Sequence, residues 1–110
     1  MANKYERSRL IPSANVTTLL YEVPAATTAI CRSLRITNTN SSRSEVTAVQ
    51  VDSASALTIT LLDQHVISPR SEYDALNGVP LNMEAGDKIR VTSTVANVNF
   101  YLSYVEIDRN

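Results

Sequence analysis

The stretch KIRVTSTVANVNFYLSYVEI, residues 88–107, alternates with a period of two. Ile89, Val91 and Ser93 fall on one side, and Arg90, Thr92 and Thr94 on the other. Further along, Val98, Phe100, Leu102 and Tyr104 oppose Asn99, Tyr101, Ser103 and Val105. Successive side chains of a strand point to opposite faces, so each run predicts a strand with one apolar and one outward face.

Working outward, the same texture recurs. Val16 to Val23 reads as a first strand that stops at Pro24, a residue unable to donate a ladder hydrogen bond and therefore suited to a strand end. Thr27 to Asn38 reads as a long second strand. Ile30, Leu34 and Ile36 are placed on one face and Cys31, Ser33, Arg35 and Thr37 on the other. Arg32 breaks that apolar face; a rim position is the simplest reading, with a bulge or a subunit interface as alternatives. NTNSSRS, residues 38–44, is turn material, because short polar side chains satisfy their own backbone.

Glu45 to Asp52 makes a third strand, and Leu57, Ile59 and Leu61 alternate with Thr58, Thr60 and Leu62 in a fourth. A short strand around His65 to Ser68 stops at Pro69, Glu72 to Asn77 resumes before Gly78, and Leu81 to Glu84 precedes Ala85-Gly86-Asp87. Gly78 and Gly86 read as turn punctuation where positive φ would strain a side chain, with Asp87 hydrogen-bonding its own turn. An Asp87→Asn change is accordingly expected to be mild unless a cation binds there.

About eight strands with regular turn signals and no room for crossover helices predict an all-β chain. The architecture expected is an antiparallel two-sheet β-sandwich of jelly-roll-like topology. The immunoglobulin hallmark of a buried Trp against a disulfide is absent, since the chain has no Trp and one Cys. A single sandwich domain is expected over residues 15–110, preceded by an N-terminal arm, residues 1–14. The arm mixes charge with Tyr5, Leu10 and Ile11. It reads either as a segment folded over a neighbouring subunit or as a frayed terminus.

The totals narrow the function. At 110 residues one core suffices. Ten Lys plus Arg against eleven Asp plus Glu give no general field toward nucleic acid or membrane, so neither is an expected partner. The lone Cys31 fits folding in a reducing cytosol, and the chain shows neither a signal-peptide pattern nor a membrane-span-length apolar run.

Chemistry is sparse. His65 is the only histidine and lacks an evident nucleophile, no G-x-S-x-G elbow occurs, and one His with one Cys cannot build a zinc site. Gly78 and Gly86 form no phosphate loop, and no EF-hand pattern is present. No catalytic residue, cofactor or metal is therefore expected, and the chain reads as a non-enzyme.

LYEVPAATTAICRSLRITNTNSS, DSASALTITLLDQHVISP, LNGVPLNMEAGDKIRV and the closing VNFYLSYVEI together resemble small all-β virion proteins of tailed bacteriophages, over roughly Asn15 to Ile107. The resemblance implies a structural protein made in the host bacterial cytoplasm and carried on the virion. A decoration or cement subunit is the first expectation, and a neck, tail or fibre-associated component the alternative. Its partners would be other virion proteins and further copies of itself, with Tyr5, Leu10, Ile11, Arg32 and Tyr101 as candidate interface residues. A second alternative is a glycan-binding module for host attachment, in which exposed tyrosines such as Tyr73 and Tyr101 would share a groove.

Overall fold

The computed structural model describes residues 3–55 and 57–108. Among these residues nine strands form two antiparallel sheets: β1 (Asn3–Leu10), β2 (Thr18–Glu22), β3 (Thr27–Asn38), β4 (Ser44–Val51), β5 (Thr58–Ile67), β6 (Ser71–Asp74), β7 (Leu81–Met83), β8 (Lys88–Ser93) and β9 (Val98–Asp108). Sheet A has the order β1-β9-β3-β6, with β7 beside the first half of β3, and sheet B has the order β2-β8-β4-β5. Each sheet thus interleaves strands from both halves of the chain, which is the double Greek-key order of a jelly roll.

The clean alternation of residues 88–107 governs the core. Ile89, Val91 and Ser93 of β8 and Val98, Phe100, Leu102 and Tyr104 of β9 all point inward between the sheets, where they meet Leu34, Ile36, Val46 and Ala48. Two polar side chains are enclosed with them and are fully satisfied. Asn38 donates from Nδ2 to the carbonyls of Ser42 (2.9 Å) and Ile67 (3.1 Å), and Ser44 and Ser93 share a 2.9 Å hydroxyl contact. A buried polar group left unpaired would cost about 1–3 kcal/mol, so these bonds fix the ends of β3 and β4 to their neighbours. The sheets are also stitched by Tyr21 of β2, whose hydroxyl donates to Glu106 of β9 at 2.6 Å while its ring lies 4.1 Å from that of Tyr104. Burial first, and then this bond to Glu106, pushes the Tyr21 phenol above the ordinary tyrosine range.

Three expectations need correction. The arm does not end as loose chain within this fold: residues 3–10 form β1 and pair with β9 over eight consecutive positions. Arg32 does not sit at a rim. The β3–β9 register shifts between Cys31 and Ser33, so Arg32 is the extra residue of a β-bulge in mid-strand. That insertion also reverses the phase of β3, placing Cys31 on the inner face with Leu34 and Ile36 and leaving Ile30 only half-buried. Finally, residues 58–67 make one strand where two are expected. Gln64 adopts a left-handed φ of 49° and donates its N–H to the Thr47 hydroxyl, so the ladder to β4 shifts register and continues.

Candidate assembly interface

On the outer face of sheet A, cross-strand partners share a side, so register alone sets the surface. Tyr5, Arg7 and Arg9 of β1 lie opposite Val105, Ser103 and Tyr101 of β9, and Tyr101 in turn lies opposite Arg35 of β3. The bulge aims Arg32 across β9: its guanidinium carbon stands 5.9 Å from the centre of the Tyr5 ring, and that of Arg35 stands 5.7 Å from the centre of Tyr101. Both distances fall within cation–π reach. A shallow depression of about 460 Å³ is lined by Tyr5, Arg7, Arg9, Arg32 and Tyr101 together with Ser103, Tyr104 and one acid, Glu6. A second hollow beside it is lined by Arg9, Leu10, Ile11, Phe100 and Tyr101.

Of the five candidate interface residues, Tyr5, Arg32 and Tyr101 meet on the outer face and exposed Ile11 lies beside them, whereas Leu10 lies opposite inward-facing Phe100 and packs against the core. Tyr5, Arg32 and Tyr101 share the first depression, and Leu10 and Ile11 join Tyr101 in the second. Arg7, Arg9 and Arg35 belong to the same surface and were not singled out by sequence. The signal was available in KYERSRL, where Tyr5, Arg7 and Arg9 alternate with Glu6, Ser8 and Leu10. Among the described residues one ion pair forms, Arg35 to Glu72 of β6 at 3.7 Å. Arg7, Arg9 and Arg32 thus present their charge outward from a rigid platform.

The turn residues occupy the sandwich's corner and one connection. Val23 N–H donates to the Asp87 carbonyl and Gly86 N–H to the Val23 carbonyl, at 2.9 Å each, so the chain around Pro24 is tied to the turn before β8. Gly86 has φ of +86°, and a Cβ there would lie 2.9 Å from the Ser53 Cβ. Asp87 does more than brace its own turn. Its buried carboxylate accepts from Glu84 N–H (2.9 Å), Ser53 N–H (3.0 Å) and Gln50 Nε2 (3.3 Å), joining β4, the β4–β5 turn and the β7–β8 turn. Gly78, with φ of +80°, follows Asn77 in the β6–β7 connection, where open space surrounds it.

The remaining reactive groups are committed elsewhere. Cys31 is fully enclosed, 3.5 Å from the Met83 sulfur, and burial pushes its thiol up to about 12. His65 lies in the other sheet and stacks on Tyr73 at 4.1 Å between centroids. Among the described residues no three His, Cys, Asp or Glu side chains are placed to hold a metal ion. Tyr73 lies opposite inward-facing Ile36, whereas Tyr101 lies on the outer face, so these two tyrosines do not form a shared sugar platform.

These features define a jelly-roll sandwich domain whose distinctive surface is a basic, aromatic sheet face. No family model and no curated protein sequence matches the chain. Solved structures do share its fold. A chain from Bacillus endospore appendages, described as a novel family of disulfide-linked pili, superposes with a TM-score of 0.62 at 10% identity, over 99% of this chain and 88% of that one. A chain from infectious bursal disease virus, Gx strain, superposes with a TM-score of 0.57 at 8% identity, over 100% of this chain and 34% of that one. The present chain thus spans about a third of the viral chain, and the likeness in both cases is one of fold.

Proposed function

We propose that this chain is a structural subunit of a bacteriophage virion, a decoration or cement protein that works through repeated protein–protein contacts. The observation that carries the reading is the outer face of sheet A, where three arginines without an ion-pair partner among the described residues and two tyrosines stand on a rigid sheet. Arg and Tyr are enriched in protein–protein interfaces, because they supply large contact area with a polar end.

Three further points support it. The strand and turn motifs resemble those of small tailed-phage virion proteins. The fold is shared with chains whose descriptions name pili and a virus. The reactive side chains, Cys31 and His65, are packed apart in different sheets. Contacts in the assembly would be non-covalent, since the sole cysteine is fully enclosed in the core. The protein would be made in the bacterial cytosol and then displayed on the particle.

Mass spectrometry and cryo-electron microscopy of purified particles test this. The expected result is the chain at regular, symmetry-related positions on the particle. Three-fold sites indicate a cement or fibre role, and five- or six-fold sites a capsomer or neck. Absence of the chain from purified particles would overturn the proposal.

A further inference from the structure

The two edges of sheet A carry opposite charge on the same face. β1 presents Arg7 and Arg9 outward at one edge, while β6 at the other carries Glu72, paired with Arg35, and half-buried Asp74, opposite Thr37 and Arg35 of β3. Asp74 Oδ1 accepts from the Leu34 and Leu76 N–H groups, and its second oxygen is left over among the described residues. One cross-strand row runs Arg9, Tyr101, Arg35, Asp74, so it begins with a cation at one edge and ends with an anion at the other. Within one sheet that order already serves Arg35, which meets Tyr101 on one side and Glu72 on the other. A row of neighbouring sheets would bring the edge cations to the edge anions as well.

Strand direction allows such a row. Each sheet path contains four strands in antiparallel sequence, β1-β9-β3-β6 and β2-β8-β4-β5, so the two edge strands of each path run in opposite directions. A second copy placed alongside in the same orientation therefore sets its β1 antiparallel to the first copy's β6, and its β2 antiparallel to the first copy's β5. Both sheets keep their alternation at once. Without stagger, Arg9 of the incoming copy stands beside Asp74 and diagonal to Glu72, the geometry in which opposite charges on adjacent strands attract.

We infer that the partner of this surface is a second copy of the chain, joined side by side through the β1 edge of one subunit and the β6 edge of the next. β1 suits such pairing because its eight-residue ladder to β9 has no bulge, leaving its other side as a regular edge. β5 does not suit it, since register shifts interrupt its ladder with β4, so main-chain pairing is confined to sheet A. In sheet B the juxtaposed edges contribute side chains, with exposed Leu19 on β2 and exposed Ile59 and Val66 on β5. The contact is heterologous, the kind that closes into rings or continues as an open array. It rests on the chain being an assembly subunit.

Analytical ultracentrifugation of purified protein tests it, with circular dichroism to verify folding. Wild type should self-associate with rising concentration, and more weakly as salt is raised. Arg7→Glu/Arg9→Glu makes both edges acidic, and Glu72→Arg/Asp74→Asn, which keeps a side-chain oxygen for the Leu34 and Leu76 N–H groups, makes the β6 edge basic, so each variant alone should associate about tenfold more weakly or worse. Mixed together, the two should co-assemble in alternation, because every contact then joins an acidic edge to a basic one. Arg7→Gln/Arg9→Gln gives a milder version that keeps the test valid if a reversal fails to fold. A wild type that stays monomeric, variants that associate as well as wild type, or a mixture that does not co-assemble would each overturn the contact. Because the test uses purified chain, a protein found on particles yet unable to pair by this edge would remove the contact and leave the proposed function standing.

Discussion

The Gly86–Asp87 corner and the outer face of sheet A both concentrate polar groups, yet they spend them differently. At the corner, each oxygen of Asp87 meets a donor from its own chain, and the neighbouring backbone closes onto Val23. On the sheet face, Arg7, Arg9 and Arg32 form no ion pair among the described residues, although Glu6 lines the same depression. The first arrangement stabilises one subunit. The second leaves interaction capacity outside it, and substitutions in the two regions should separate accordingly.

The largest effect is expected from Gly86→Val. The side chain meets a positive φ and a 2.9 Å approach to Ser53, so strain and overcrowding together should cost about 3 kcal/mol or more, measured by urea unfolding. Asp87→Asn comes next. The amide keeps one acceptor oxygen and turns an NH2 toward backbone donors, so a loss of about 1–3 kcal/mol is expected, larger than the sequence pattern suggests.

Alkaline pH should act on the core rather than on either region. Tyr21, Tyr104 and Cys31 all have acid dissociation shifted upward by burial, so the folded chain holds protons that the unfolded chain has released. Their contribution is complete below the unfolded values and declines as pH rises. For Cys31 that decline spans pH 9.0 to about 12, and for the tyrosines it begins near pH 10. Thermal melts between pH 8 and pH 11 should therefore show falling stability, with a shallower decline in Tyr21→Phe. The smallest stability effect, within about 0.5 kcal/mol, is expected for Arg7→Gln/Arg9→Gln, whose consequence should appear in association instead.

The same contrast explains what the sequence made legible. β8 and β9 were readable because an inner face of Ile, Val, Phe and Leu alternates without interruption against an outer polar one. β3 kept its boundaries but lost its phase, since the extra residue at Arg32 reverses which side chains face inward. β1 carried little apolar signal: its side chains are exposed apart from half-buried Ser8 and Leu10, and backbone pairing to β9 holds it. Along β5, the left-handed Gln64 disguises one edge strand as two. The basic face depended on Tyr5, Arg32 and Tyr101 becoming neighbours. Their adjacency follows from the order β1-β9-β3, which brings together strands from the start, middle and end of the chain.

Hydrogen exchange followed by mass spectrometry, at low and high protein concentration, compares the two regions in one experiment. If the surface of sheet A joins copies through its edges, amides of residues 3–10 and 71–74 should gain protection with concentration while those of residues 84–88 stay unchanged. Self-association that leaves residues 3–10 and 71–74 exchanging at their monomer rate would contradict the account.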